Sequence, residues 1–137
     1  GSEMCIRDRI VIGGGHLGQA IANYANFERR GFYIKAIFDI DPEIIGKEVR
    51  GVRVYSMDEL EDFIKKNDIH IAALAIPKLQ AEEVAKRLVA AGIVGIWNYA
   101  HIDLQVPDNV VVENVHLSES LMRLSYRVNR EMDKTKK

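Results

Sequence analysis

The sequence predicts an α/β protein whose core is a mainly parallel sheet of about six strands. Three observations support this prediction. Short apolar runs of strand length alternate along the chain with segments of helical periodicity. Strands that are joined through helices pair in parallel, with right-handed crossovers. A glycine-rich turn separates the first strand from the first helix. The 137 residues are enough for one domain with a full hydrophobic core.

The first strand, turn and helix form the most informative pattern. The apolar run Ile10-Val11-Ile12 leads into Gly13-Gly14-Gly15-His16-Leu17-Gly18, a helix is expected from about His16 to Arg29, and a second strand over 32–38 ends at Asp39. A G-x-G-x-x-G turn between a strand and a helix, with an acidic residue about 20 positions further on, is typical of a Rossmann dinucleotide site. The chain is therefore predicted to be a Rossmann-type, doubly wound fold that binds NAD or NADH.

Each glycine of this turn has its own expected role. Gly13 makes the tight turn, Gly15 lets a pyrophosphate approach the backbone, and Gly18 lets the helix pack on the strand. The free amides and the dipole of the helix start favour a diphosphate there. Asp39 would accept hydrogen bonds from ribose hydroxyls and repel a 2′-phosphate, which favours NAD over NADP. A turn that holds another phosphate compound, above all coenzyme A, is the alternative.

The next elements are predicted from helix caps and short apolar runs. The first helix places Leu17, Ile21, Tyr24 and Ala25 on one face and ends at Gly31. Asp41-Pro42 predicts an N-cap and a short helical turn to about Ile45. A short strand follows at residues 52–54, and Ser56 and Glu59 form a capping box for a helix that reaches about Lys66.

Two further crossovers complete the predicted sheet. A buried strand over 69–76 stops at Pro77, a helix over 79–91 ends at Gly92, and strands follow at 93–98 and 110–112. Because ligands bind beyond the carboxyl ends of parallel strands, this order nominates Ala75-Ile76-Pro77 and Asn98-Tyr99-Ala100-His101. Asn98 is a candidate to bond the nicotinamide carboxamide. Tyr99 either stacks on that ring or packs in its loop, and Tyr24 either faces the ligand or joins the core.

The C-terminal segment is predicted to be a helix that no strand follows. Its apolar stripe comprises Leu117, Leu121, Leu124 and Val128, with Met122 and Tyr126 beside it. Such a helix either packs on its own sheet or docks on a partner subunit, and the pattern alone does not separate the two. Residues 131–137 are expected to be a charged, frayed tail.

Composition excludes several classes of function. The net charge is -1, which does not favour nucleic-acid binding by this chain, and no apolar run reaches the ~20 residues of a membrane span. The single Cys5 cannot form an internal disulfide, so a cytoplasmic protein is expected. The four histidines lack the spacing of metal ligands. No second region offers a substrate site or a catalytic acid or base, which predicts a nucleotide-binding domain that is not an enzyme.

The first nine residues are predicted to be a non-native leader. Gly1-Ser2 is typical of a cleaved tag, and residues 4–9 resemble the translation of a sequencing adapter. The expected organisation is thus a leader over 1–9, a Rossmann domain over 10–116, and a dimerisation helix with a charged tail over 117–137.

Beyond these patterns, the chain resembles the nucleotide-binding domain of Rex, the bacterial redox-sensing transcriptional repressor family. The resemblance spans about Ile10 to Asn129. The matching stretches are Gly13-Gly14-Gly15-His16-Leu17-Gly18-Gln19-Ala20, Asn23-Tyr24, Phe38-Asp39-Ile40-Asp41-Pro42, Ile45-Gly46, Gly51-Val52-Arg53-Val54-Tyr55, Ala75-Ile76-Pro77, Ala91-Gly92-Ile93, Trp97-Asn98-Tyr99-Ala100, Val112-Glu113-Asn114-Val115 and Leu124-Ser125-Tyr126.

The resemblance implies a homodimer that senses the NADH/NAD ratio and consumes neither nucleotide. It implies that the C-terminal helix is swapped between subunits, and that the Tyr24 region and the turn before the last helix read the redox state of the nicotinamide. The nucleotide-binding residues implied by the turn, the strand ends and the resemblance together are Gly13, Gly14, Gly15, His16, Leu17, Gly18, Tyr24, Asp39, Ile40, Ala75, Ile76, Pro77, Asn98, Tyr99, Ala100 and His116.

Three departures from the family pattern qualify these expectations. The N-terminal winged helix that binds operator DNA in the family is absent from this chain, so operator DNA is expected to be bound only by a longer parent. His116 stands where many members carry an acidic residue, and His101 stands where a proline is common.

The alternatives to a Rex-like sensor domain are a coenzyme A-binding Rossmann domain like that of acyl-CoA synthetases, and the nucleotide half of a truncated dehydrogenase.

Overall fold

The protein, seen in a computed structural model, contains a seven-stranded sheet, and its described residues include two complete crossover helices. The structure describes residues 8–15, 18–21, 33–49, 51–115, 127–128 and 130–132. The strands are β1 (Asp8–Ile12), β2 (Tyr33–Asp39), β3 (Glu48–Val49), β4 (Val52–Ser56), β5 (Ile71–Leu74), β6 (Gly95–Asn98) and β7 (Val111–Asn114). The helices are α1 (Leu60–Asn67), which follows a 3-10 turn at Met57–Glu59, and α2 (Lys78–Ala91).

The order of the strands is that of a doubly wound sheet. It reads β3-β4-β2-β1-β5-β6-β7, and all neighbours are parallel except β3 and β4, which are antiparallel. The chain winds outward from β1 in one direction and then from β5 in the other, so the switch point lies between these two strands. The predicted fold class is confirmed. The two-residue β3 was missed, because so short an edge strand has no periodicity.

Alternate residues of the strands divide between two apolar cores. On β1, Ile10 and Ile12 join the core beneath α1 and α2, whereas Val11 belongs to the core of the opposite face. The first core includes the fully buried Phe38 and Leu88. Burial on both faces explains why the central strands read as continuous apolar runs. The sheet edge on which their carboxyl ends meet therefore lies between two packed apolar layers.

Most of the predicted element boundaries are close to those observed. The capping box of Ser56 and Glu59 is present and opens the 3-10 turn that precedes α1. Gly92 ends α2 in a left-handed conformation, with φ 111°. The strand predicted over 69–76 is shorter, at Ile71–Leu74. Asp41-Pro42 opens a hydrogen-bonded turn, in which the Ile45 amide donates to the Asp41 carbonyl over 3.2 Å, and no helix forms there.

Three predictions fall at or beyond the limits of the described residues. Residues 18–21 are helical, as predicted, but the rest of the first helix lies outside the description. Residues 127–128 and 130–132 are helical, and the remainder of the apolar C-terminal stripe also lies outside it. Strand β1 begins at Asp8, so the last two residues of the predicted leader belong to the sheet. Among the described residues, no helix combines the length and apolarity needed to cross a bilayer.

Candidate nucleotide site at the carboxyl edge of the sheet

The carboxyl ends of five neighbouring strands, β2, β1, β5, β6 and β7, are joined just beyond their last residues. Four backbone bonds make this connection, donated by the Gly13 amide to the Phe38 carbonyl (2.8 Å), by Ala75 to Ile12 (2.8 Å), by Tyr99 to Leu74 (3.0 Å) and by Val115 to Asn98 (2.9 Å). The glycine turn, residues 75–77 and residues 98–101 therefore form one continuous edge. These are the segments that the sequence nominated, and they flank the topological switch point at which such sheets bind ligands.

Two of the glycines are required by the protein itself. Gly13 has φ 109°, and a Cβ there would lie 2.3 Å from the Ala75 carbonyl oxygen. A Cβ on Gly18 would lie 1.7 Å from the Gly13 carbonyl oxygen. Both contacts are with backbone atoms that cannot move aside without breaking the turn. These positions explain the tight turn and the close packing of helix against strand that the sequence predicted.

Gly15 differs from Gly13 and Gly18, because no atom of the described residues explains why a glycine stands there. A Cβ built on Gly15 meets nothing within 4 Å, and Gly15 is not among the residues with positive φ. Its carbonyl accepts a hydrogen bond of helical spacing from the Gln19 amide over 2.9 Å. Within the part of the chain that the structure describes, open space therefore lies in front of this backbone, close to the helical residues 18–21. A phosphate group fits such a place, since the amides and dipole of the helix start favour an anion.

The carboxylate of Asp39 is fixed beside this turn. Its Oδ2 accepts from the Gly14 amide at 2.5 Å, and its Oδ1 accepts from the Asp41 amide at 2.9 Å. Each carboxylate oxygen keeps acceptor capacity for a second donor. Next to it, the Ile40 side chain is 76% exposed. The arrangement offers oriented acceptors for a pair of hydroxyls and an apolar surface for a flat ring.

The segment after β5 lies directly against the glycine turn. A Cβ on Gly13 would come within 3.2 Å of the Ile76 side chain, so these two residues are close neighbours. Ala75 and Ile76 are half-buried, and Pro77 is exposed at the start of α2. The structure thus brings Ala75-Ile76-Pro77 to the same edge of the sheet as the glycines, as predicted from the strand order.

Asn98 is engaged within the protein. Its side chain is 2% exposed, its Nδ2 donates to the Ile102 carbonyl (2.7 Å) and to Asn114 Oδ1 (2.9 Å), and its Oδ1 accepts from the Ala100 amide (3.0 Å). Both amide hydrogens are therefore used. This favours a role in shaping the loop over direct bonding of a carboxamide. Tyr99 is half-buried against the second core, and Ala100 is buried.

A shallow depression opens beside this loop. It has a volume of about 210 Å³ and is lined by Asn98, His101, Ile102, Asp103 and Asn114. Asn114 was not among the predicted site residues. No local pattern marks it, because its contact with Asn98 joins two strands that are far apart in the sequence.

Four predicted site residues, His16, Leu17, Tyr24 and His116, lie outside the described residues. Within the described part of the chain, no group of three or more histidine, cysteine, aspartate or glutamate side chains is arranged to hold a metal ion.

Comparison with known proteins identifies a family whose sequence model covers this part of the chain. The sequence model of the CoA binding domain matches residues 7–102. The chain belongs to this CoA-binding domain family. The matched range contains the glycine turn, Asp39, residues 75–77 and the loop after β6. The family model therefore covers the candidate site at the carboxyl edge, except for the end of β7.

The resemblance to Rex repressors is confirmed by curated relatives. The chain is 57% identical over 117 residues to the redox-sensing transcriptional repressor Rex of Clostridioides difficile, covering 85% of this chain and 56% of that protein. It is 51% identical over 123 residues to Rex of Caldicellulosiruptor saccharolyticus, covering 90% of this chain and 56% of that protein. This member of the CoA-binding domain family thus spans about half the length of the curated relatives that it matches.

A solved structure gives the same result in three dimensions. RSP, a Rex-family repressor, is 53% identical to this chain, with a TM-score of 0.79 over 96% of this chain and 63% of that one. RSP has been crystallised with β-NADH, and also with β-NAD⁺ and operator DNA.

Proposed function

We propose that this chain is the NAD(H)-binding, redox-sensing and dimerisation domain of a Rex-like transcriptional repressor. The observation that carries the proposal is Gly15, a glycine that none of the described residues requires, with open space in front of its backbone. The fixed carboxylate of Asp39 stands beside it. The crystallised NADH complex of RSP, which is 53% identical to this chain, supports NADH as the nucleotide.

The phosphate and adenosine end of the nucleotide would lie on the glycine turn. Its diphosphate would rest on the turn formed by Gly13, Gly14, Gly15, His16, Leu17 and Gly18. The ribose hydroxyls would donate to Asp39, and the adenine would lie on Ile40. Asp41 and Glu43 add exposed negative charge after Asp39, so a phosphate on this ribose is disfavoured, whether the 2′-phosphate of NADP or the 3′-phosphate of coenzyme A.

The nicotinamide end would lie on the later strand ends. Ala75, Ile76 and Pro77 would form one wall, and Tyr99 and Ala100 the other. Asn98 would hold this second wall in shape through its bonds within the loop, in place of the direct contact with the carboxamide that the sequence suggested. We propose that Tyr24 and His116 complete the ring pocket, as the resemblance implies.

The remaining functions belong to the whole parent protein. We propose that the domain spans about 10–116, that residues 117–137 provide a helix swapped between the subunits of a homodimer, and that a winged helix elsewhere in the parent binds operator DNA in the cytoplasm. The domain would sense the nucleotide without turning it over. NADH and NAD⁺ shift such a dimer only to the extent that its two arrangements bind them with different affinities.

Calorimetric titration with NADH, NAD⁺ and coenzyme A tests the nucleotide assignment. We expect NADH to bind at least about tenfold more tightly than NAD⁺, a difference of about 1.4 kcal/mol, and coenzyme A to give no binding heat. Tight binding of coenzyme A without a response to NADH would overturn the proposal in favour of the acyl-CoA synthetase-like alternative. Hydride transfer from NADH to a carbonyl substrate would favour the dehydrogenase alternative.

A matched pair of variants sharpens that experiment. Ile40→Ser removes the apolar surface proposed for the adenine, and we expect it to weaken NADH binding by about fivefold, because about 1 kcal/mol of apolar burial is lost. Val111→Ser is the control, since this side chain is also exposed, at 67%, but lies at the opposite edge of the sheet. Equal effects of the two variants would contradict the placement of the adenine.

A further inference from the structure

The loop over residues 98–102 is organised from inside by one amide. Asn98 is buried, and its three hydrogen bonds reach Ala100, Ile102 and Asn114. The same loop contains His101 at φ 57°, in the left-handed region that is uncommon for a residue with a Cβ. A short loop with a disfavoured backbone conformation keeps its shape only where the surroundings fix it. Here the side chain of Asn98 provides that constraint.

Asn114 connects this buried amide to the next strand. The two residues are register partners in the parallel pair β6–β7. Asn114 Oδ1 accepts from Asn98 Nδ2 at 2.9 Å, and the Val115 amide donates to the Asn98 carbonyl at the same distance. One side-chain bond and one backbone bond thus attach the loop to the end of β7. Asn114 itself is exposed, so its side chain can be changed without opening the core.

The position of the loop separates the two ends of the nucleotide. The Tyr99 amide bonds the Leu74 carbonyl, and the Ala75 amide bonds that of Ile12, so the loop lies two strand ends away from the glycine turn. A nucleotide that spans this edge meets the glycine turn and Asp39 with its ADP half. Only its nicotinamide half reaches residues 98–101.

We propose that Asn114 is a positioning residue for the nicotinamide end of the site. Through Asn98 it holds the loop over 98–102 in register with β7, so that the wall facing the ring and the end of β7 keep one relative position. Asn114 does not touch the nucleotide. This inference rests on the proposed binding of NAD(H) and names the residue that sets the geometry of its redox-sensitive half.

Three variants test the proposal. Asn114→Ala removes the acceptor. Asn114→Asp keeps an acceptor oxygen in its place, and Asn109→Ala makes the same change as Asn114→Ala at an exposed turn residue before β7. Calorimetry with NADH and with ADP measures the two ends separately. We expect Asn114→Ala to weaken NADH by at least about fivefold and to leave ADP within about twofold. Asn114→Asp and Asn109→Ala should bind both ligands like the unaltered chain.

Hydrogen exchange without nucleotide tests the bridge independently of the proposed function. The Ala100 amide donates to Asn98 Oδ1, and we expect its exchange to be about tenfold faster in Asn114→Ala and unchanged in the other two variants. Unchanged exchange in Asn114→Ala would overturn the proposal, as would an equal loss of ADP and NADH binding, which indicates a general structural role. Failure of the unaltered chain to bind NADH would instead contradict the proposed function.

Discussion

The two ends of the candidate site are built in different ways. At the glycine turn, the backbone defines the site, because Gly13 and Gly18 leave no room for a Cβ, whereas Gly15 leaves room that no described residue fills. At residues 98–102, a buried side chain defines it, through bonds to Ile102, Ala100 and Asn114. Substitutions at the glycine turn should therefore destabilise the protein through steric overlap. Substitutions at residues 98–102 should destabilise it through loss of polar partners.

The largest effect is expected from Gly18→Ala. The new Cβ would lie 1.7 Å from the Gly13 carbonyl oxygen, so the helix must move off the strand. We expect the free energy of unfolding to fall by at least about 3 kcal/mol, since overlap with backbone is not relieved by side-chain motion. Urea denaturation followed by circular dichroism measures it. Native-like stability of Gly18→Ala would show that the turn is looser than described.

A smaller effect is expected at the other end from Asn98→Ala. The Ala100 amide and the Ile102 carbonyl would lose a buried partner, and we expect a loss of about 2–3 kcal/mol. Asn67→Ala is the control, because Asn67 makes a single bond, from its Nδ2 to the Phe63 carbonyl over 3.0 Å. If the two variants lost equal stability in urea, the buried amide would not be what organises the loop.

The smallest effect is expected away from both ends, from Arg87→Met. Arg87 on α2 donates to both oxygens of Glu61 on α1, each at 2.7 Å, and to the Met57 carbonyl at 2.6 Å. Both side chains are more than a third exposed, so we expect a loss of only about 1 kcal/mol at neutral pH. ADP binding should not change.

The pH dependence of this pair has a definite sign. The Arg87 hydrogen bonds lower the pKa of Glu61 below its ordinary 4.5 and raise the pKa of Arg87. The stability that the pair contributes is therefore present above pH 4.5 and is lost as the pH falls through the lowered pKa of Glu61. Urea denaturation should show that the difference between Arg87→Met and the unaltered chain shrinks below that pH. A constant difference would contradict the ion pair.

Much of the fold was predictable from the sequence because its signals are local. The glycine turn, the capping box of Ser56 and Glu59, and Gly92 at the end of α2 each depend on residues within a few positions of one another. The two-residue β3 was not predictable, since it forms by pairing with β4 and has no pattern of its own. The segment after Asp41 was predicted as a short helical turn and forms a hydrogen-bonded turn without helix, because its N-cap looks the same whether or not a helix follows.

The candidate site was also predictable in part, and the rest depends on contacts between strands. Asp39 and residues 75–77 follow from strand order, because strand ends meet at one edge of a parallel sheet. The engagement of Asn98 and the presence of Asn114 depend on β6 pairing with β7, sixteen residues apart in the chain. The sequence therefore indicated that Asn98 lies at the site, but not whether its amide faces a ligand or the protein.

The variant Gly15→Ala, with its stability and its nucleotide affinity measured together, tests directly whether the space in front of Gly15 holds the diphosphate. Because the new Cβ meets no atom of the described residues within 4 Å, the free energy of unfolding should stay within the ordinary range of a surface change, about 0.5 kcal/mol. The affinities for NADH and ADP should both fall by at least about tenfold, since the methyl group occupies the space assigned to the diphosphate. A stable Gly15→Ala protein that binds both nucleotides like the unaltered chain would contradict the assignment.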